Sequence, residues 1–95
     1  MLTHIVLFKL KDPTPANLEK ARNLMAGMAG QIPELRHLEL GVDVIRSKRS
    51  YDLALMARFD SLEDFRAYQA HPAHQKVVKD ILAASDSIIA VDYES

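Results

Sequence analysis

The chain has 95 residues, with 12 Lys and Arg against 13 Asp and Glu, a formal net charge of −1 and no cysteine. These figures exclude a second core, a disulfide staple and a thiolate metal site, and they argue against nucleic acid or an anionic membrane as partner. A chain this short hides only about 60–65% of its unfolded surface, so association with a second copy is the expected extra source of stability.

One domain is expected over residues 1–95, without repeats, linkers or low-complexity segments. The first residues, Met1-Leu2-Thr3-His4, show no basic segment followed by a long apolar stretch. A soluble, cytoplasmic protein with neither signal peptide nor membrane anchor is therefore expected.

Residues 3–11 read as a strand. Ile5, Val6, Leu7 and Phe8 are apolar at consecutive positions, so both faces of that strand should be covered. Asp12-Pro13-Thr14-Pro15 breaks it. Thr14 suits the cap of a helix whose first residue is Pro15, where a missing N–H does no harm. Leu18, Ala21, Met25, Met28 and Ile32 recur at helical spacing, which predicts a helix over 15–30 closed by Gly30 and Pro33.

Residues 36–46 alternate, with Leu38, Leu40, Val42 and Val44 on one face and His37, Glu39 and Asp43 on the other. Ser47 to Ser50 form a polar turn, and a further strand over 51–59 completes a hairpin or a near-adjacent antiparallel pair. Ser61 followed by Asp64 starts a helix in the manner of a capping box. Leu62, Phe65 and Tyr68 fall on one side of it. Pro72 interrupts that helix, because the residue before proline avoids helical angles. A third helix restarts at Pro72 and is expected to bury Val77, Val78, Ile81 and Leu82. Residues 87–93 form the last strand.

The order is that of a ferredoxin-like α+β fold, βαββαβ, with an antiparallel four-stranded sheet and the helices on one face. The first strand, however, is apolar on both faces. His4, Val6 and Phe8 lie on one, Ile5 and Leu7 on the other. The third strand repeats this, with Leu53, Leu55 and Phe59 against Ala54 and Met56. An uncovered apolar face of that extent calls for a cover. The simplest is the same face of a second copy, giving a homodimeric α+β barrel with a cavity along the sheet interface.

Several segments resemble the stress-responsive A/B barrel (Dabb) family over nearly the whole chain. They are His4-Ile5-Val6-Leu7-Phe8-Lys9-Leu10-Lys11, Tyr51-Asp52, Phe59-Asp60-Ser61-Leu62-Glu63-Asp64, Tyr68-Gln69-Ala70-His71-Pro72-Ala73-His74 and Val91-Asp92-Tyr93-Glu94. The resemblance implies a homodimer whose sheets form the barrel, and it implies little about activity. One plant member is a cyclase that closes a linear tetraketide by aldol condensation. The phenol and an imidazole of its site match Tyr68 and His74 here, and a further imidazole matches His4. A His on its third strand is replaced by Leu53, which makes the pocket here less polar.

The residues themselves point to chemistry at 68–74. His71 would cap the third helix and His74 would sit in its first turn, where the helix dipole disfavours an imidazolium. A neutral imidazole is what a general base needs near pH 7. His74 precedes Val77, Val78 and Ile81 at helical spacing, so it faces the sheet. Tyr68 follows Phe65 by three and points the same way. His74 abstracting a proton beside a carbonyl, with Tyr68 donating to the enolate oxygen, would be a workable site. The plainer reading has Tyr68 and His74 as core residues, His71-Pro72 as helix punctuation and His4 as a rim residue of the barrel.

His71 and His74 lack a carboxylate at a matching offset, so no metal site and no cofactor are expected. Met25, Met28 and Met56 read as core filler. Expected overall is a dimer that binds a small hydrophobic molecule in its barrel cavity, with His4, Val6, Phe8, Leu53 and His71 as contacts. The alternative is a cofactor-independent cyclase, isomerase or monooxygenase-like enzyme that uses Tyr68 and His74 on a carbonyl or phenolic substrate.

Overall fold

The computed structural model describes residues 1–95. In chain order the elements are β1 (Leu2–Leu10), α1 (Pro15–Ala26), β2 (His37–Val42), β3 (Leu53–Phe59), α2 (Leu62–Ala70), α3 (Pro72–Ala84) and β4 (Ser85–Glu94). The strands form one four-stranded sheet in the order β2-β3-β1-β4, with antiparallel neighbours throughout. The ferredoxin-like order is therefore present, its second helical segment split in two at Pro72.

Local chemistry sets most of the helix starts. The Thr14 side chain accepts a hydrogen bond from the Asn17 N–H at 3.2 Å, and Pro15 follows at the first helical position. The Ser61 hydroxyl accepts from the Asp64 N–H at 3.1 Å. The His71 side chain accepts from the Ala73 N–H at 3.0 Å, with Pro72 next. Each cap satisfies one N–H that the first turn leaves without a partner.

Alternation then sorts the residues. Leu2, Val6, Phe8 and Leu10 of β1 and Leu53, Leu55, Ala57 and Phe59 of β3 are buried beneath the helices. Leu18, Ala21 and Met25 meet them from α1, Phe65 and Tyr68 from α2, and Ile81 from α3. Phe59, Phe65 and Tyr68 form an aromatic cluster with ring centroids 4.8–6.0 Å apart. On the opposite face stand Ile5, Leu7, Met56, Ile89, Val91 and Tyr93. The last three are 48%, 59% and 45% exposed.

Three expectations need correction. Helix α1 ends at Ala26 rather than residue 30, because Gly27 caps it and the chain turns, although Met28 and Ile32 still reach the core. Strand β2 ends at Val42 rather than 46. The Asp43 carboxylate accepts from the Arg46 N–H at 2.7 Å, and Arg46 sits in the left-handed region at φ 57°. That tight turn leaves Val44 86% exposed instead of continuing the inner face. Leu82 is 57% exposed, so the buried stripe of α3 is narrower than its apolar pattern. No helix is long and apolar enough to cross a membrane.

Candidate functional site

A cavity of about 230 Å³ lies between the inner face of the sheet and helices α2 and α3. The space lies within one chain on the helix side, not along the face where two sheets would meet. The sheet supplies Val6, Phe8 and Leu55, with Ile88 and Ala90 from β4. Helix α3 supplies Val77, Val78, Ile81 and Leu82, and Met25 and Met28 close the space from the α1 side.

One end is polar. His4, Tyr68, Gln69 and His74 all line the cavity there. Strand register places His4 opposite Asp92, and the His4 Nδ1 meets the Asp92 carboxylate. An ionised carboxylate only accepts, so Nδ1 carries the hydrogen of that bond. The ring is fixed between that carboxylate and two aromatic neighbours, Phe65 at 4.9 Å and Tyr68 at 6.3 Å between centroids.

His74 is held similarly. Its Nδ1 lies 3.3 Å from the Gln69 carbonyl oxygen. A carbonyl also only accepts, so Nδ1 donates and, in the neutral ring, Nε2 remains an acceptor. Burial holds the His74 pKa below the ordinary imidazole value, and the nearby His4 adds to that lowering against the opposing effect of the Gln69 bond. His74 is thus a neutral base near pH 7.

Tyr68 lies between the imidazoles. Its ring centroid is 4.2 Å from that of His74. Burial pushes its phenol well above the ordinary tyrosine value, so it stays a neutral O–H donor. That donor has only a weak partner, the Met28 sulfur at 3.9 Å. Sulfur is a poor acceptor. A ligand at this end would find the phenol as a donor and the His74 Nε2 as an acceptor.

Of the residues singled out in the sequence, His4, Val6, Phe8, Tyr68 and His74 come together around this space. Leu53 and His71 do not. Leu53 pairs with Phe8 and Val42 and is sealed in the core at 2% exposure. The His71 ring turns back to cap α3. Sequence reasoning missed Asp92 as the partner of His4. The residue lies in the closing Val91-Asp92-Tyr93-Glu94 segment, but only the β1–β4 register brings it to His4.

The family model described as Stress responsive A/B Barrel Domain matches residues 2–95. A stress-response A/B barrel domain-containing protein of Arabidopsis thaliana is 32% identical over 95 residues, a match covering 98% of this chain and 36% of that protein's length. An uncharacterized protein of Streptomyces coelicolor is 34% identical over 79 residues, covering 79% of this chain and 80% of that one. A crystal structure from Thermobifida fusca, described as a dimeric ferredoxin-like protein of unknown function, superposes with a TM-score of 0.88. It is 32% identical, with 99% of this chain and 90% of that one covered.

Proposed function

We propose that this chain, which belongs to the stress-responsive A/B barrel family, binds a small, mostly apolar molecule in its helix-side cavity and works as a homodimer. The observation that carries the binding role is the cavity itself, apolar along most of its walls and polar at the His4–Tyr68–His74 end. At about 230 Å³ it falls below the ~300–1,000 Å³ of common ligand sites, which suits a compact ligand. An apolar body with a single carbonyl or hydroxyl group fits the lining. Val6, Phe8 and Ile81 would hold the body, and Tyr68 would donate to its oxygen.

The homodimer is supported by the outer sheet face, where Ile89, Val91 and Tyr93 stand 48%, 59% and 45% exposed beside Ile5, Leu7 and Met56. Such a patch marks an interaction surface. The dimeric state of the Thermobifida fusca relative supports it as well. A single such domain over residues 1–95 and a cytoplasmic setting complete the proposal.

Native mass spectrometry of protein drawn from its own host tests both parts. A dimer carrying one or two copies of a small adduct is expected. A bare monomer at micromolar concentration would refute the proposal.

A second reading, acid–base chemistry on a carbonyl compound, is favoured by the His74 Nε2, left as an acceptor beside the Tyr68 phenol donor. In this role His74 removes a proton next to the carbonyl and Tyr68 donates to the enolate oxygen. Deuterium wash-in at the α-carbon of a small aryl ketone, followed by NMR, is the check. Exchange as fast with His74→Ala as with the parent protein would eliminate the base role.

A further inference from the structure

Odd-numbered residues of β1 face away from the helices. Along that row the apolar Ile5 and Leu7 give way to Lys9, whose Nζ stands 5.5 Å from the centre of the Tyr51 ring. The Tyr51 hydroxyl lies 2.9 Å from the Ser87 hydroxyl. Ser87 is the register partner of Lys9 across the β1–β4 ladder. An ammonium, a phenol and an alcohol therefore converge at one end of the outer face.

Tyr51 also walls a depression of about 330 Å³, whose other apolar walls include Leu7 and Ala54. Gly41 keeps it open. A Cβ placed there would meet no atom within 4 Å. Asp43 stands at its rim, but its carboxylate is occupied by the Arg46 backbone N–H at 2.7 Å and the guanidinium at 3.6 Å.

Lys9 takes part in none of the ion pairs of the chain. In a lone copy, water would serve its ammonium. Once a second copy covers this face, as proposed above, that water is displaced and no carboxylate of the same chain replaces it. A charge in that position needs an anion.

We propose that this end of the outer face is a second binding site, for an amphiphilic carboxylate. Its head meets Lys9 and the Tyr51 hydroxyl, and its apolar body fills the depression between the two sheets. Tyr51 accepts from Ser87 and turns its own hydrogen to the carboxylate, a charge-assisted bond beside that of the ammonium. The site is distinct from the helix-side cavity, which opens on the other face of the same sheet. It exists only if the homodimer forms as proposed.

Calorimetric titration with octanoate and with octanol, run beside sedimentation velocity, tests the site. The dimer is expected to bind octanoate at least about tenfold more tightly than octanol. Lys9→Met and Gly41→Val, neither of which touches the helix-side cavity, are each expected to weaken octanoate by about tenfold or more while the dimer persists. Equal octanoate binding by all three proteins would place the ligand elsewhere and overturn the site. A dimer that binds no octanoate would overturn it too, and would leave the homodimer standing. Sedimentation as a monomer would remove the homodimer and this site together.

Discussion

Tyr68 is the residue at which a structural role and a ligand role make opposite predictions. Its ring is 1% exposed and packs against Phe59, Phe65 and His74. Truncation to Ala would cost about 3–5 kcal/mol through lost contacts and an unfilled void. Removing only the hydroxyl is different. Its one partner is the Met28 sulfur at 3.9 Å, which returns little of what the buried O–H lost on leaving water. A buried hydroxyl without a good partner costs about 1–3 kcal/mol. Tyr68→Phe should therefore be neutral or stabilising by up to ~1 kcal/mol, a rise of up to about 4–8 °C in midpoint for a domain of this size. The same change should weaken a ligand that accepts from the phenol by about tenfold, the loss of one good hydrogen bond in a dry site. Urea denaturation at fixed protein concentration reads the first effect, and titration with the adduct from native mass spectrometry reads the second. A loss of more than ~1 kcal/mol on Tyr68→Phe would show that the hydroxyl is held for stability, and the ligand argument would fail.

Lowering the pH should destabilise the protein through His74. Its folded-state pKa is lowered by burial, so below about 6.5 the unfolded chain binds the extra proton first and stability falls, levelling off only beneath the folded value. Urea midpoints at pH 7.5 and 5.5 should show the drop, and His74→Gln should flatten it. Asp52, 3% exposed, accepts from the Leu10 N–H at 2.7 Å and the Arg46 guanidinium at 2.8 Å. Asp52→Ala should cost about 2–4 kcal/mol, the upper end softened because Arg46 is partly solvated. Thr14→Ala removes the α1 cap and should cost about 1 kcal/mol by the same denaturation measurement. Val91→Lys on the outer face should convert the dimer to monomer in sedimentation velocity, and a dimer unchanged by that charge would move the interface elsewhere.

Features that depend on neighbours in sequence were legible. Thr14-Pro15, Ser61-Asp64 and His71-Pro72 each mark a helix start, because a cap is chemistry between residues three or fewer apart. The two-faced pattern of β1 was equally plain, since strand periodicity is local. What escaped depends on long-range register. The end of β2 is fixed by Arg46, whose guanidinium reaches the buried Asp52 on the far side of the hairpin loop. No alternation in residues 36–46 records that pull, and Val44 continues the apolar period straight into solvent. Asp92 was visible as a residue but not as the partner of His4, because a shift of one in the β1–β4 ladder would turn it to the other face. Leu53 stands in register with Val42 and Phe8 at 2% exposure, outside the lining of the helix-side cavity, a placement that strand alternation alone does not give.

Strand β1 ties the two faces together. Its even residues His4, Val6 and Phe8 line the helix-side cavity, and its odd residues Ile5, Leu7 and Lys9 form the outer face. Strand β4 repeats the division, with Ile88, Ala90 and Asp92 inward and Ile89, Val91 and Tyr93 outward. As an edge strand, β4 has only β1 beside it in the sheet. Whatever covers Ile89 and Val91 therefore also steadies the strand that carries Asp92 to His4. Loss of the outer cover should loosen β4 first and release the carboxylate that orients the His4 ring. On this geometry association and the polar end of the cavity are linked through one strand. Binding in the cavity should then strengthen the dimer by the same factor that dimerisation strengthens binding.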